Sequence, residues 1–350
     1  MITLTSSAPT SAENSYADYG RSPLRRLLLT REFAIIALLV VVILVASLRV
    51  AKFASPVTMG YLLFDAMPIL LMALSMTPVM ITGDIDLSVG SMVGLSSVLV
   101  GLLHSAGLGI PAAAVVALVV GAIGGVVNGL LVTRVGLPSL AVTIGTLALY
   151  RGIAVGLLGT TAVTQFDKWW TTLVKSKLGA SGLPTVMILF LVLLVAFAVM
   201  LHFTPFGRGV FAIGLSKDAA AFSGVHVERT RLILFVLSGL MAALAGIYYA
   251  LYYGSARGDN ATGMELQVIA AVVLGGVSVF GGRGALHGVI AGVLVIGTLS
   301  KALQLVNVTS DVMSIITGVL LVLSVILGSV LSWFQARRVR PPTSSTPKTT

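Results

Sequence analysis

Long apolar runs, separated by short clusters of charged, glycine or proline residues, dominate the chain from residue 33 onward. A bilayer core takes about 20 apolar residues per helix. Cutting the sequence at its charges and Gly/Pro clusters predicts ten membrane spans, at residues 33–49, 57–81, 87–103, 111–133, 136–158, 184–203, 231–253, 266–281, 285–304 and 311–333. The expected fold class is all-α, a polytopic membrane protein. The third, eighth and ninth segments are short and glycine-rich, a feature of discontinuous helices beside transport paths.

The polar stretches complete the pattern. Residues 1–32 are rich in Ser, Thr and Ala and carry Arg21, Arg25, Arg26 and Arg31, so a disordered cytoplasmic tail is expected there, with a second such tail at 334–350 and the membrane domain between, at 33–333. The run at 33–48 is expected to be a retained first helix, because a secretory leader has a shorter polar lead and is not followed by many spans. Two loops are long. Residues 159–183 carry Trp169, Trp170 and three lysines, which suits an external amphipathic segment serving as a membrane-surface anchor or as a docking surface. Residues 204–230 contain Ser216 to Val227, whose small core of Ala219, Ala220, Ala221 and Gly224 is flanked by Lys217, Asp218 and Glu228; this suits a short helix along the cytoplasmic membrane surface.

Composition excludes a soluble domain: of 350 residues, 57% are hydrophobic and 10% charged, against about a quarter charged in globular proteins. The absence of cysteine removes disulfides, thiolate metal sites and cysteine nucleophiles. A net charge of +10 would suggest nucleic acid in a soluble chain, but Lys and Arg collect in cytoplasmic loops of membrane proteins. No nucleic-acid partner is expected. With both termini cytoplasmic, 14 of the 22 Lys and Arg fall inside and 8 outside.

No catalytic constellation is present. His104, His202, His226 and His287 stand alone at loop edges or span ends, so no metal ligand set is expected. No Gly-x-x-x-x-Gly-Lys-Ser/Thr loop exists, so the chain is not expected to hydrolyse ATP by itself or to bind a cofactor. Attention falls on polar residues at membrane depth, which cost about 2.5–3.5 kcal/mol for an Asp or Arg near a helix centre. Asp65 lies within the second span. Asp84 and Asp86 lie between the second and third and Ser88 at the start of the third, where they either cap the third span's N-terminus or shape a substrate path. Asn128 and the face formed by Thr143, Thr146 and Tyr150 serve as interhelical glue or as path residues. Apart from Asp65, the charges are expected at span ends, which disfavours a proton- or sodium-driven carrier. Thr82-Gly83-Asp84 falls on Arg257-Gly258-Asp259 at an offset of 175, the mark of an inverted repeat; a parallel match of Gly83, Gly90 and Gly94 with Gly281, Gly288 and Gly292 competes with it.

Several stretches resemble the permease subunits of bacterial ABC importers for ribose- and galactoside-type sugars. Ile81-Thr82-Gly83-Asp84-Ile85-Asp86-Leu87-Ser88-Val89-Gly90-Ser91 is similar to that family's Thr-Gly-Gly-Ile-Asp-Leu-Ser-Val-Gly signature. Asn128-Gly129, Gly136-Leu137-Pro138-Ser139, Thr143-Ile144-Gly145-Thr146-Leu147, Gly207-Arg208, Ser223-Gly224-Val225 and Val273 through Gly282 extend the likeness over residues 35–330. Asp84 replaces the usual second glycine, and Ser216 stands where the family has Asn. Gly254-Ser255-Ala256-Arg257 is similar to the rhamnose and autoinducer branch.

The resemblance implies a path for a neutral pentose, hexose or deoxy-sugar, formed with a second permease chain, identical or a sister. It implies an extracytoplasmic sugar-binding protein and a cytoplasmic ABC ATPase that uses the ATP. It also implies ATPase coupling through Ser216, Lys217, Ala220, Ser223, Gly224 and Val225. The alternative is a stand-alone secondary carrier for a small polar solute.

Overall fold

The computed structural model describes residues 31–179, 182–309, 311–323 and 326. The tails expected at 1–32 and 334–350 lie outside these residues, apart from the first turn of the first helix. The helices are α1 (Arg31–Arg49), α2 (Pro56–Ile81), α3 (Val89–Ser105), α4 (Ile110–Thr133), α5 (Ser139–Leu158), α6 (Lys168–Val174), α7 (Met187–Phe203), α8 (Pro205–Leu215), α9 (Lys217–Phe222), α10 (Val227–Tyr253), α11 (Met264–Leu274), α12 (Leu286–Leu305) and α13 (Asp311–Leu323). Among the described residues there is no strand, only isolated bridges pairing Val163 with Ala256 and Lys177 with Pro184.

Local chemistry sets the ends. Ser55 caps α2 by accepting from the Thr58 N–H, with Pro56 at the first helical position. Gly254, left-handed at φ 63°, stops α10. Thr204 accepts from the Gly207 N–H and Pro205 starts α8, so the chain turns by 68° between α7 and α8. Among the described residues, five helices qualify as membrane-crossing by length and apolarity, or six if α7 and α8 form one broken span; α1, α3, α11 and α13 are shorter apolar helices.

The span expected at 266–281 is corrected. Its helix stops at Leu274, because Gly275 and Gly276 follow and Gly276 takes φ 95°; the apolar composition continues, but the backbone does not. A shift of 175 carries the starts of α3 and α4, at 89 and 110, onto 264 and 285, where α11 and α12 start at 264 and 286. The parallel alternative would instead lay the 26 residues of α2 over the 11-residue α11.

Packing explains the composition. Helices α2 and α3 are almost wholly buried within the bundle, while α4, α5 and α7 expose Val119, Ile123, Ile144, Leu149, Val192 and Val195. Such a surface suits lipid. The long α10 runs against α2, α3 and α4. Gly121, Gly125 and Gly129, four residues apart on α4, bring its backbone against Phe235, Val236 and Gly239 of α10, the close approach that small residues permit between membrane helices. In the 159–183 loop, α6 turns Trp170 and Val174 onto a cluster of Val100, Ile110, Ala117, Ile247 and Leu251, and leaves Trp169 exposed.

Candidate functional site

Residues 82–88, between α2 and α3, hold two carboxylates that are both tied to α10. Arg231 donates from Nε to Asp84 Oδ2 at 2.6 Å and from Nη2 to Asp84 Oδ1 at 2.7 Å. The pair is largely desolvated, with side chains 12% and 4% exposed. Two helical turns further along α10, Ser238 Oγ donates to Asp86 Oδ2 at 2.7 Å. The other oxygen, Asp86 Oδ1, accepts from the Ser88 N–H at 3.0 Å and from Ser88 Oγ at 2.6 Å.

The capping expectation therefore divides. Asp86 satisfies an N–H at the start of α3, in line with the anion preference of helix N-termini. Asp84 does not cap; it is the buried partner of a cation 147 positions away. A buried carboxylate needs such a partner, and a local pattern cannot say which cation supplies it.

Two of the other expected residues, Asn128 and Thr143, bond the same loop. Asn128 of α4 donates to Ser88 Oγ at 2.9 Å, and its Oδ1 is buried without a hydrogen-bond partner among the described residues. From α5, Ser139 Oγ accepts from the Ile85 N–H at 3.3 Å, and Thr143 Oγ1 donates to the Ile85 carbonyl at 3.2 Å. Tyr150 donates to the Gly124 carbonyl at 3.0 Å. Thr143, Thr146 and Tyr150 share the buried face of α5, as their spacing implies; Thr146 bonds the carbonyls of Val142 and Thr143 within its own helix. Asp84, Asp86, Ser88, Asn128, Thr143, Thr146 and Tyr150 are all buried. Through Asp86, Ser88, Asn128, Thr143 and Tyr150 their hydrogen bonds tie the 82–88 loop, α4, α5 and α10 together.

The expectation that charges other than Asp65 sit at span ends is overturned. Arg151 lies well inside α5, and its Nη1 donates to the carbonyls of Gly258 at 2.8 Å and Asn260 at 2.6 Å. Those carbonyls belong to residues 254–263, the non-helical link between α10 and α11. Asn260 Nδ2 in turn reaches Ser97 Oγ of α3 at 2.9 Å and the Ser255 carbonyl at 3.0 Å. On the exposed side of the link, Arg257 bonds Asp259 through both carboxylate oxygens and holds its carboxyl below the usual range. Near the end of α12, Lys301 pairs with Asp65 at 2.9 Å, and Tyr252 donates to the same carboxylate at 3.2 Å. Arg151 and Lys301 are thus internal partners, not loop charges. Sequence reasoning missed Arg151, Arg231, Ser238 and Asn260 as members of these clusters. The signal available for Arg231 was Asp84 itself, a carboxylate where the resembled signature has glycine.

Removal of the Ser238 hydroxyl should leave Asp86 Oδ2 short of a donor. Ser238→Ala is expected to cost about 1.5–3 kcal/mol, the range for a hydrogen bond to a charged group, read as a lowered midpoint in chemical unfolding of the detergent-solubilised chain. An unchanged midpoint would show that Ser88 alone satisfies the carboxylate.

Helices long and apolar enough to cross a membrane, a pair of them bent by 68°, and buried polar clusters at the joints define a multi-pass membrane permease. The chain belongs to the permease component family of branched-chain amino acid transport systems, whose model matches residues 58–325. It is 34% identical to the autoinducer 2 import system permease protein LsrD of Photorhabdus luminescens over 303 residues, covering 85% of this chain and 91% of the relative. The LsrD protein of Yersinia enterocolitica is 33% identical over 320 residues (88% and 96%), and that of Escherichia coli O157:H7 is 36% identical over 266 (74% and 80%). No solved structure matches the chain significantly. The protein is a permease of the ABC importer type, which accords with the resemblance read from its signature.

Proposed function

We propose that this chain is the membrane path of an importer for a small, neutral, hydroxyl-rich solute of the monosaccharide class, driven by a separate cytoplasmic ATPase and fed by an extracytoplasmic binding protein. The observation that carries the ATPase assignment is an apolar patch on an otherwise polar segment. Phe222 is 93% exposed and Leu215 74%, on α9 and the end of α8, beside Lys217, Asp218, Glu228 and Arg229. Phe280 is 81% exposed in the loop between α11 and α12, which reaches the same end of the bundle through the Gly282 N–H bonded to the Ile81 carbonyl. Lipid would cover apolar side chains but not the surrounding charges. A protein partner covers both.

The coupling residues read from the sequence differ in exposure. Ala220 is 3% exposed and packs within the chain, so the small residue there lets α9 lie close to α8 and α10 and does not admit a partner. Ser216 caps α9 by accepting from the Ala219 N–H at 3.3 Å. Lys217 and Ser223 are exposed, Val225 packs near Gly209, and Gly224 takes φ 83°. The anchor on the docking face is Phe222. A bulky residue at Gly224 would strain the backbone whether or not a partner docks, so Phe222 is the better probe.

Orientation follows from charge. With the internally paired Arg151, Lys301 and Arg231 set aside, 13 cations remain on the side assigned to the cytoplasm and 6 on the other. Both termini are then cytoplasmic in the inner membrane. The solute class is supported by the hydroxyl and amide groups around residues 86–150, which match neutral polar ligands without leaving a charge unpaired. The relatives' name adds autoinducer 2 import as the first solute to try.

Phe222→Asp should weaken co-elution of the ATPase by about 30-fold or more, the effect of losing about 2 kcal/mol at an interface anchor. Unchanged assembly and unchanged coupling in a folded Phe222→Asp chain would move docking to the loops around Arg134 or Arg283. In liposomes, the chain alone should show no gradient-driven uptake of autoinducer 2 or monosaccharides. Robust uptake without an ATPase would favour a secondary carrier.

A further inference from the structure

We propose that the Asp84–Arg231 pair is a strut that carries the motion of the ATPase-docking segment to the start of α5. This rests on the docking reading of residues 215–230. Arg231 stands in the second turn of α10, directly after α9 and its connecting turn at 223–226. Its bidentate grip on Asp84 and the Ser238 bond to Asp86 fix the middle of the 82–88 loop to one face of α10. From that loop, Ile85 is bonded through its N–H to Ser139 and through its carbonyl to Thr143, in the first two turns of α5. The chain of contacts is continuous: α9, α10, Arg231, Asp84, Ile85, α5.

The geometry favours a strut over a latch that opens. Both nitrogens that face the carboxylate bond it at 2.6 and 2.7 Å, and both side chains are almost out of solvent. Separating such a pair leaves two uncompensated charges, so the loop and α10 move together. Position 84 also explains itself on this basis. A glycine there would leave Arg231 buried without its partner and the loop tied to α10 through Asp86 alone.

The chain has no cysteine, so a single reporter can be placed cleanly. Leu140, beside Ser139 and 46% exposed, is changed to Cys and labelled with a maleimide fluorophore in the full chain assembled with its ATPase. The signal is compared without nucleotide and with ATP plus vanadate, which needs no transported solute. The parent assembly should respond. Asp84→Asn and Arg231→Gln should still co-elute with the ATPase, yet reduce the response at least about fivefold, the lower end of ordinary couplings between sites. The exchange Asp84→Arg with Arg231→Asp should restore most of it, which a loss of folding alone would not do. Asp84→Asn keeps the shape and one acceptor, so it remains informative if the Arg231 variant assembles poorly.

A parent with no response at position 140, single variants with the full response, or an exchange that restores nothing would each overturn the strut. Failure of the docking reading has a different signature: the parent's response at position 140 would survive Phe222→Asp unchanged, whatever residues occupy 84 and 231.

Discussion

Arg151→Met is expected to be among the most destabilising single changes in the membrane domain. The guanidinium supplies the Gly258 and Asn260 carbonyls with donors at 2.8 and 2.6 Å, and its second nitrogen reaches the Gly90 carbonyl at 3.4 Å. Residues 254–263 form no helix; the Arg257, Asp259 and Ala261 carbonyls accept from N–H groups three residues on, whereas those of Gly258 and Asn260 are met by Arg151, and a backbone carbonyl taken out of water needs such a donor. Met keeps the length and apolar stem of Arg but donates nothing. Two orphaned carbonyls at about 1–3 kcal/mol each predict a loss of about 2–6 kcal/mol. Arg151→Lys, with its compact ammonium in place of the fork, can reach one carbonyl well and should fall about midway. Chemical unfolding in mixed micelles ranks the three proteins. A Met variant within about 0.5 kcal/mol of the parent, the usual range for surface changes, would mean that the link finds other donors and that Arg151 does not hold it.

The helix ends were largely legible because the bilayer dictates length and because Pro and Gly punctuate the runs; α2, α4 and α12 begin and end within one residue of the expected spans. The eighth span was overextended for the opposite reason. Val277, Val279 and Phe280 keep the hydropathy high after Gly275 and Gly276 have already turned the backbone. The 82–88 loop was legible as a polar junction, since two carboxylates and Ser88 follow one apolar run and precede the next. Its partners were not, because Arg231 and Ser238 are about 150 positions away and pair through packing that no local period encodes. Arg151 was misplaced by the same logic: a cation in the second half of an apolar run was counted with the external loop charges, and only the non-helical link shows why it lies inside the bundle.

The repeat of Gly121, Gly125 and Gly129 was readable and went unread, and it supports the second large effect. These three glycines occupy one face of α4 and let it lie against α10 with backbone touching backbone. A Cβ at Gly125 would overlap the Phe235 carbonyl oxygen, lie 2.7 Å from Val236 Cα and lie 3.0 Å from the Phe235 carbonyl carbon. None of these is a side-chain end that can rotate away, so the two helices must part.

Overpacking of this kind costs about 1–3 kcal/mol or more. Gly125→Val should sit at or above the top of that range, because its branched side chain adds two methyl groups to the clash. The consequence extends to the site, since α10 carries Arg231 beside this crossing and Ser238 within it, and α4 carries Asn128 next to Gly129. On α5, Gly145 has nothing within 4 Å of an added Cβ, so Gly145→Ala should be neutral or stabilise by up to about 1 kcal/mol, the difference in helix propensity. The same substitution type thus has opposite expected signs at two helical glycines. The measurement is the unfolding midpoint of Gly125→Ala, Gly125→Val and Gly145→Ala in mixed micelles, together with the nucleotide response at position 140. If Gly125→Val unfolds with the parent's midpoint, α4 and α10 do not meet backbone to backbone, and the placement of Arg231 and Ser238 over the 82–88 loop falls with that crossing.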